Sequence, residues 1–174
     1  MSRVKVRAAA DADLIALNVI EDEADQLFAS VISIEAWQPA PRGGERAGQP
    51  GFILVASIDN DSEVIGFVHV LSVQDDGHLE QLSVRPSAAG QGHGRALVEA
   101  AIREAAHRGY KRLTLRTFAD IPWNAPFYER CGFHASEPDN DFLENLVNVE
   151  ATLGLPAQGR RIQMEFGLTR FIDR

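Results

Sequence analysis

The sequence predicts an α+β fold: a mostly antiparallel mixed sheet of six to seven strands, flanked by helices. Three observations carry that expectation. Apolar, β-branched runs between residues 52 and 84 are separated only by the acidic turns Asp59-Asn60-Asp61 and Asp75-Asp76-Gly77, which makes an antiparallel meander. A strongly amphipathic helix over 94–108 stands between the third of these runs and another β run at 112–118, so one strand pair is a parallel crossover. An extra helical pattern then precedes the last strand, 161–168. A chain of 174 residues suits one domain spanning residues 1–174.

Each element has a local reason. Residues 4–8 read as a short strand. Leu14, Leu17, Ala24, Leu27, Phe28 and Val31 follow a helical period over 11–31, with Asp11 or Asp13 as cap. Residues 37–51 (WQPAPRGGERAGQPG) are rich in Gly and Pro and predict a long loop. Strands follow at 52–58, 64–73 and 78–84. The middle one is apolar on both faces, with Ile65, Phe67, Leu71 and Val73 on one and Val64, Val68 and Val70 on the other, as in a central strand covered on both sides. In the helix over 94–108, Leu97, Val98, Ala101, Ile102 and Ala105 form the buried stripe. Glu99–Arg103 and Glu104–Arg108 are spaced for outer ion pairs, and Gly109 ends it. A short helix at 125–131 stops at Gly132. Phe142, Leu143, Leu146, Val149 and Leu153 give the extra helix, closed by Gly154 and Pro156.

Composition excludes several function classes. Seventeen Lys+Arg against 25 Asp+Glu leave a net charge of −8, which repels polyanions and argues against a nucleic-acid partner. Cys131 is the only cysteine, so neither an intramolecular disulfide nor a multi-cysteine zinc site can form, and no histidine pair has ligand spacing: no metal is expected. The start lacks the apolar core of a secretory signal, and no apolar stretch approaches the roughly 20 residues that span a bilayer. A cytoplasmic protein without a membrane partner is expected.

The chemistry concentrates at 79–101 (LEQLSVRPSAAGQGHGRALVEAA). A strand ends at Val84, Pro86 breaks it, and Gly90, Gly92 and Gly94 lead into a helix. Such a loop is an anion cradle, because the first amides of a helix lack acceptors and its dipole favours negative charge. Arg95 adds a cation there. The Walker ending is missing, since Arg95-Ala96-Leu97 follows Gly94, and the dinucleotide fingerprint fails at Arg95 and Leu97.

The run V-x-P-x-x-x-G-Q-G-x-G-R-A-L over 84–97, with FYERCGF at 127–133, resembles the GNAT superfamily of acyl-CoA-dependent N-acetyltransferases. The order of elements is similar to that fold over essentially the whole chain. The resemblance implies that acetyl-CoA is the co-substrate. Its pyrophosphate would sit on the backbone amides of Gln91, Gly92, His93, Gly94, Arg95 and Ala96. Its pantetheine arm would pair with the strand edge at Leu82, Ser83 and Val84, and a backbone N–H near Val84 would stabilise the oxyanion. The chain departs from the family pattern at Ala89, where Arg or Gln is usual, and at Ile121, where Asn is common. Asn124 is either a ligand contact or the N-cap of the short helix.

Within that resemblance Tyr128 is the expected general acid, protonating the thiolate as it leaves. Glu80 is the expected base, with His78 second. Strict alternation puts His78, Glu80, Leu82 and Val84 on one face, and burial would raise the Glu80 pKa; a competing reading pairs Glu80 with Arg116. His93 is expected to face solvent and His69 to be a core residue. Cys131 lacks an adjacent base for acyl transfer. The acidic runs 21–25 and 137–141 read as solvated faces, and would favour a cationic amine if either bordered the acceptor cleft. The expected reaction is direct acetyl transfer to a primary amine of a small molecule or peptide. A non-catalytic acyl-CoA-binding or sensing module is the alternative. The 135–160 segment would shape the acceptor site or a homodimer contact.

Overall fold

Strand pairing, taken element by element, yields one seven-stranded sheet. The computed structural model describes residues 4–33, 39–58 and 63–169. Its elements are β1 (Val4–Ala8), α1 (Leu14–Asp25), α2 (Gly43–Ala47), β2 (Gly51–Ile58), β3 (Glu63–Val73), β4 (Asp76–Val84), α3 (His93–His107), β5 (Arg112–Phe118), α4 (Ala125–Arg130), β6 (His134–Ser136), α5 (Asp141–Thr152) and β7 (Arg161–Gly167). The spatial order is β1-β2-β3-β4-β5-β7-β6. Only β4 and β5 run parallel, as the crossover through α3 requires.

Most expected elements form within a residue or two. The helix expected over 11–31 divides into a 3-10 turn (Asp11–Asp13), α1 and a second 3-10 turn (Gln26–Ser30). The Asp13 carboxylate accepts from the Ala10 amide at 2.7 Å and from Arg7 at 2.6 Å, which anchors the start. The 37–51 loop is corrected by α2. Gly43 makes that helix possible, since a Cβ there would collide with the Leu14 carbonyl of α1. Edge strand β6, three residues paired only with β7, carries no readable pattern. The Asp59–Asp61 turn and Trp37 lie outside the described residues.

Two sheet faces carry two cores. Leu97, Val98, Ala101 and Ala105 of α3 pack with Leu54, Val68, Val70, Leu113 and Leu115 on one face. Leu17 and Ile20 of α1 cover Val55 and Phe67 on the other. Two β-bulges overturn the strict alternation. In β3, Ser57 pairs with Val64 and Ala56 with Gly66, so Ile65 is the extra residue and joins Val68 rather than Phe67. In β4, Val70 pairs with Leu79 and His69 with Gln81, so Glu80 is the extra residue. Leu79 therefore packs with Leu82 and Val84 against the α3-side core, and Glu80 does not share their face. No helix among the described residues is long and apolar enough to cross a membrane.

Candidate active site

The parallel pairing of β4 with β5 stops after two positions, Gly77 with Leu113 and His78 with Thr114. Beyond His78 the strands part, and a cleft of about 530 Å³ opens between them, bordered by β4 from Leu79 to Val84, the glycine loop, α4 and the end of α1. The backbone edge of Leu82, Ser83 and Val84 is thus free of a β5 partner, open to an extended ligand that could add to it as a strand.

At one end of the cleft the chain presents backbone donors. Gly90 (φ 73°) and Gly92 (φ 84°) adopt left-handed conformations that turn the loop into α3. The amides of His93, Gly94 and Arg95 precede the first intrahelical acceptor, and those of Gln91 and Gly92 have no backbone acceptor among the described residues. The Ala96 amide, in contrast, donates to the Gly92 carbonyl at 3.0 Å and so leaves the set of free donors. The Gln91 and Ala96 side chains are not part of the cleft wall, whereas Gly92, His93, Gly94 and Arg95 are. His93 does not point to solvent: its Nε2 is buried without a partner among the described residues. Arg95 pairs with Glu99 at 2.8 Å, displacing the expected Glu99–Arg103 pair.

Tyr128 stands on α4 and lines the cleft. Its ring meets Phe127 (5.1 Å) and Phe133 (5.8 Å) edge-on, which fixes the phenol, and the hydroxyl has no hydrogen-bond partner among the described residues. Burial, with a smaller contribution from the neighbouring Cys131, pushes the phenol well above its ordinary value, so it stays a proton donor at neutral pH. The half-buried Cys131 thiol is likewise pushed up, chiefly by burial, which suits an inert side chain. Asn124 sits at the N-cap position without capping through its side chain. Its Oδ1 accepts from the Phe118 amide at 3.3 Å, tying α4 to the end of β5, while the residue borders the cleft.

The carboxylate end is built from partners distant in sequence. Glu80 accepts from Arg46 Nη1 at 2.5 Å and lies 3.3 Å from His69 Nδ1, while 36% of its side chain stays open to the cleft. Arg46 is buried and also pairs with Glu21. Burial alone would raise the Glu80 pKa, but the His69 hydrogen bond and the Arg46 charge outweigh it and hold the carboxyl below the ordinary range. This reverses the expected direction, and the ion pair of the competing reading forms with Arg46 rather than Arg116. The proton goes to Glu21 instead: burial dominates, Arg46 is shared, and the Asp25 and Glu80 charges add, so Glu21 rises to about 7. The 21–25 run is therefore not a solvated face; Glu21 is buried and Asp25 borders the cleft. His78 is removed from the base candidates. It lies outside the cleft, bonded to Thr114 Oγ1 at 2.8 Å and packed on Phe142, and burial lowers its pKa to about 4.

The remaining wall combines charge and apolar surface. Arg116 (β5) and Arg161 (β7) reach the cleft and share Glu150 of α5, at 3.0 and 2.6 Å. Phe28 and Trp123, edge-on at 5.8 Å, border the same space. Arg46, Glu21, Arg161 and Glu150 carry no local sequence signal for this site. Among the described residues no group of three or more His, Cys, Asp or Glu could hold a metal ion.

Residues 17–133 match the model of the acetyltransferase (GNAT) family. The fold is similar to that of the ribosomal-protein-S18-alanine N-acetyltransferase from Escherichia coli (22% identity, TM-score 0.64, 95% of this chain and 94% of that one). It is also similar to the PaiA N-acetyltransferase from Thermoplasma acidophilum in complex with coenzyme A (18%, 0.66, 95% and 99%). A third likeness is to the N-acetylglutamate synthase from Neisseria gonorrhoeae complexed with coenzyme A and N-acetyl-glutamate (20%, 0.67, 98% and 36%). These likenesses concern architecture, whereas the family match covers well over half of the sequence, and the chain accordingly belongs to the GNAT acetyltransferase family, a family of acyltransferases.

Proposed function

We propose that the protein, as one N-acetyltransferase domain over residues 1–174, transfers an acetyl group from acetyl-CoA to a primary amine by direct attack in a ternary complex. The observation that carries this reading is the parting of β4 from β5. It gathers free amides at the glycine loop, a fixed phenol on α4 and a carboxylate on β4 around one cleft.

The residues fit the co-substrate. Amides of Gln91 to Arg95 suit a pyrophosphate, and the free edge at Leu82, Ser83 and Val84 suits the pantetheine arm. An N–H near Val84 would meet the charge that develops on the thioester oxygen. Glu80, ionised under the hold of Arg46 and His69, receives the proton of the incoming ammonium directly or through water. Tyr128 donates its proton to the departing thiolate, and its raised pKa keeps that proton in place beforehand. Held in one cleft, the two reactants gain the rate advantage of proximity.

A thiol-release assay with acetyl-CoA and a panel of primary amines tests the reading. Turnover with at least one amine is expected. Tyr128→Phe is expected to lower kcat by roughly 10²–10⁴ with acetyl-CoA affinity retained. Acetyl-CoA binding without thiol release for any amine would replace this reading by the sensing module.

A further inference from the structure

We propose that the acceptor is an α-amino acid, its carboxylate seated on Arg116 and Arg161 and its amine directed toward Glu80. This rests on the acetyltransferase reading above and names the substrate class of that same cleft.

The charge balance at this wall is unequal. Arg116 and Arg161 are two cations held by one carboxylate, Glu150, each through its Nη2. Both Glu150 oxygens are thereby engaged. Neither Nη1 has an acceptor among the described residues, which leaves one surplus positive charge beside the cleft. Of the other charged groups bordering the space, Glu80 answers to Arg46 and Arg95 to Glu99, and Asp25 makes no ion pair with Arg116 or Arg161 among the described residues.

The pair is also preorganised. The side chains are 9% and 14% exposed, and Arg161 lies over the Phe118 ring at 4.5 Å, so little rotamer freedom is left to lose on binding. A guanidinium fixed in this way offers planar donors that match a carboxylate. A simple amine would place nothing on these donors and would leave the surplus charge unmatched in a partly desolvated pocket. Glu80 on β4 and the arginines on β5 and β7 face the same cleft. An acceptor that carries both an ammonium and a carboxylate therefore answers both ends, and an α-amino acid is the smallest such acceptor. Leu27, Phe28 and Trp123 supply the apolar wall for its side chain.

The test compares matched acceptors with the wild-type protein at equal free-base concentration: L-phenylalanine, L-phenylalaninamide and 2-phenylethylamine, then L-leucine against 3-methylbutylamine. The expected result is a kcat/KM at least about 10-fold higher for the acid in each set, as charge-assisted hydrogen bonds to the carboxylate imply. Arg116→Gln and Arg161→Gln are expected to bring that ratio toward one, chiefly through KM, and Arg161→Lys to restore part of it. A wild-type ratio near one, or one favouring the amide, overturns the amino-acid assignment while amine acetylation stands. An equal fall for acid and amine in the variants also overturns it, because a purely structural tie would act that way. No turnover with any acceptor overturns both readings. The wild-type comparison decides even if a variant fails to fold.

Discussion

The two ends of the cleft are built on different principles. The glycine end uses backbone: Gly90 and Gly92 turn the chain and leave the amides from Gln91 to Arg95 without backbone acceptors among the described residues. The carboxylate end uses side chains drawn from four elements, with Glu21 of α1, Arg46 of α2, His69 of β3 and Glu80 of β4 meeting around one guanidinium. A backbone site tolerates most side-chain changes and fails when the conformation fails. A shared-ion site fails when its central cation is lost, because Glu21 and Glu80 are then left without the guanidinium that pairs them.

The largest effect is therefore expected from Arg46→Met, which keeps volume and removes the cation between Glu21 and Glu80. Urea unfolding at pH 7.5 should show a loss of about 3–5 kcal/mol, the range for breaking a buried pair from one side. Acetyl transfer should fall as well, and recover partly at higher pH as Glu80, no longer held down, needs a higher pH to ionise. A variant as stable as the wild type would show that the guanidinium is not what holds the two carboxylates.

Next comes the pH dependence of stability. Glu21 has a folded pKa of about 7 against 4.5 when unfolded, so between those values the folded state binds the extra proton. Stability from this group is full below pH 4.5 and is lost as pH rises toward 7, by an amount of order 3 kcal/mol. Glu80 acts in the opposite sense: its folded pKa is depressed, so its contribution is present at neutral pH and lost on acidification. Glu21→Gln should remove the first slope and leave the second. An unchanged slope in that variant would assign the titration to another group.

This contrast also explains what could be read from residue order. The sheet, the crossover and the glycine loop were legible because each rests on a contiguous pattern: an apolar, β-branched run at 52–58, a helical stripe in α3, and the unbroken run 84–97. Tyr128 was legible because FYERCGF is contiguous too. Arg46 was not, since its partners stand 25 and 34 positions away and its helix hides in a Gly- and Pro-rich segment. The place of Glu80 on β4 was legible, but its environment was not. The bulge at that residue changes which neighbours share its face, and a bulge leaves no mark on apolar alternation. The competing pairing of Glu80 with Arg116 does not form, because Arg116 pairs with Glu150, which arrives on α5 from beyond β6.

At the backbone end, Gly92→Ala is expected to cost about 1–2 kcal/mol, the strain of a Cβ at φ 84°, since nothing lies within 4 Å to collide with it. Acetyl-CoA affinity should fall with it, measured by calorimetric titration, whereas Gln91→Ala, which changes an exposed side chain and keeps its amide, should leave affinity unchanged. Equal losses for both would mean that side chains, and not amides, hold the ligand.

The smallest effect separates the two ends by their response to salt. Arg95 is exposed and paired to Glu99, also exposed, beside the free amides. Glu99→Gln releases that guanidinium toward the cradle, so acetyl-CoA affinity should rise, by less than about threefold, as surface pairs are weak. At about 1 M salt the Debye length shrinks to roughly 3 Å, and the gain should vanish. The Arg46→Met defect should persist under the same salt, because buried charges are poorly screened. A gain at Glu99 that survives high salt would show that Arg95 meets the phosphate by direct hydrogen bonding, and the glycine end would then share the side-chain logic of the other.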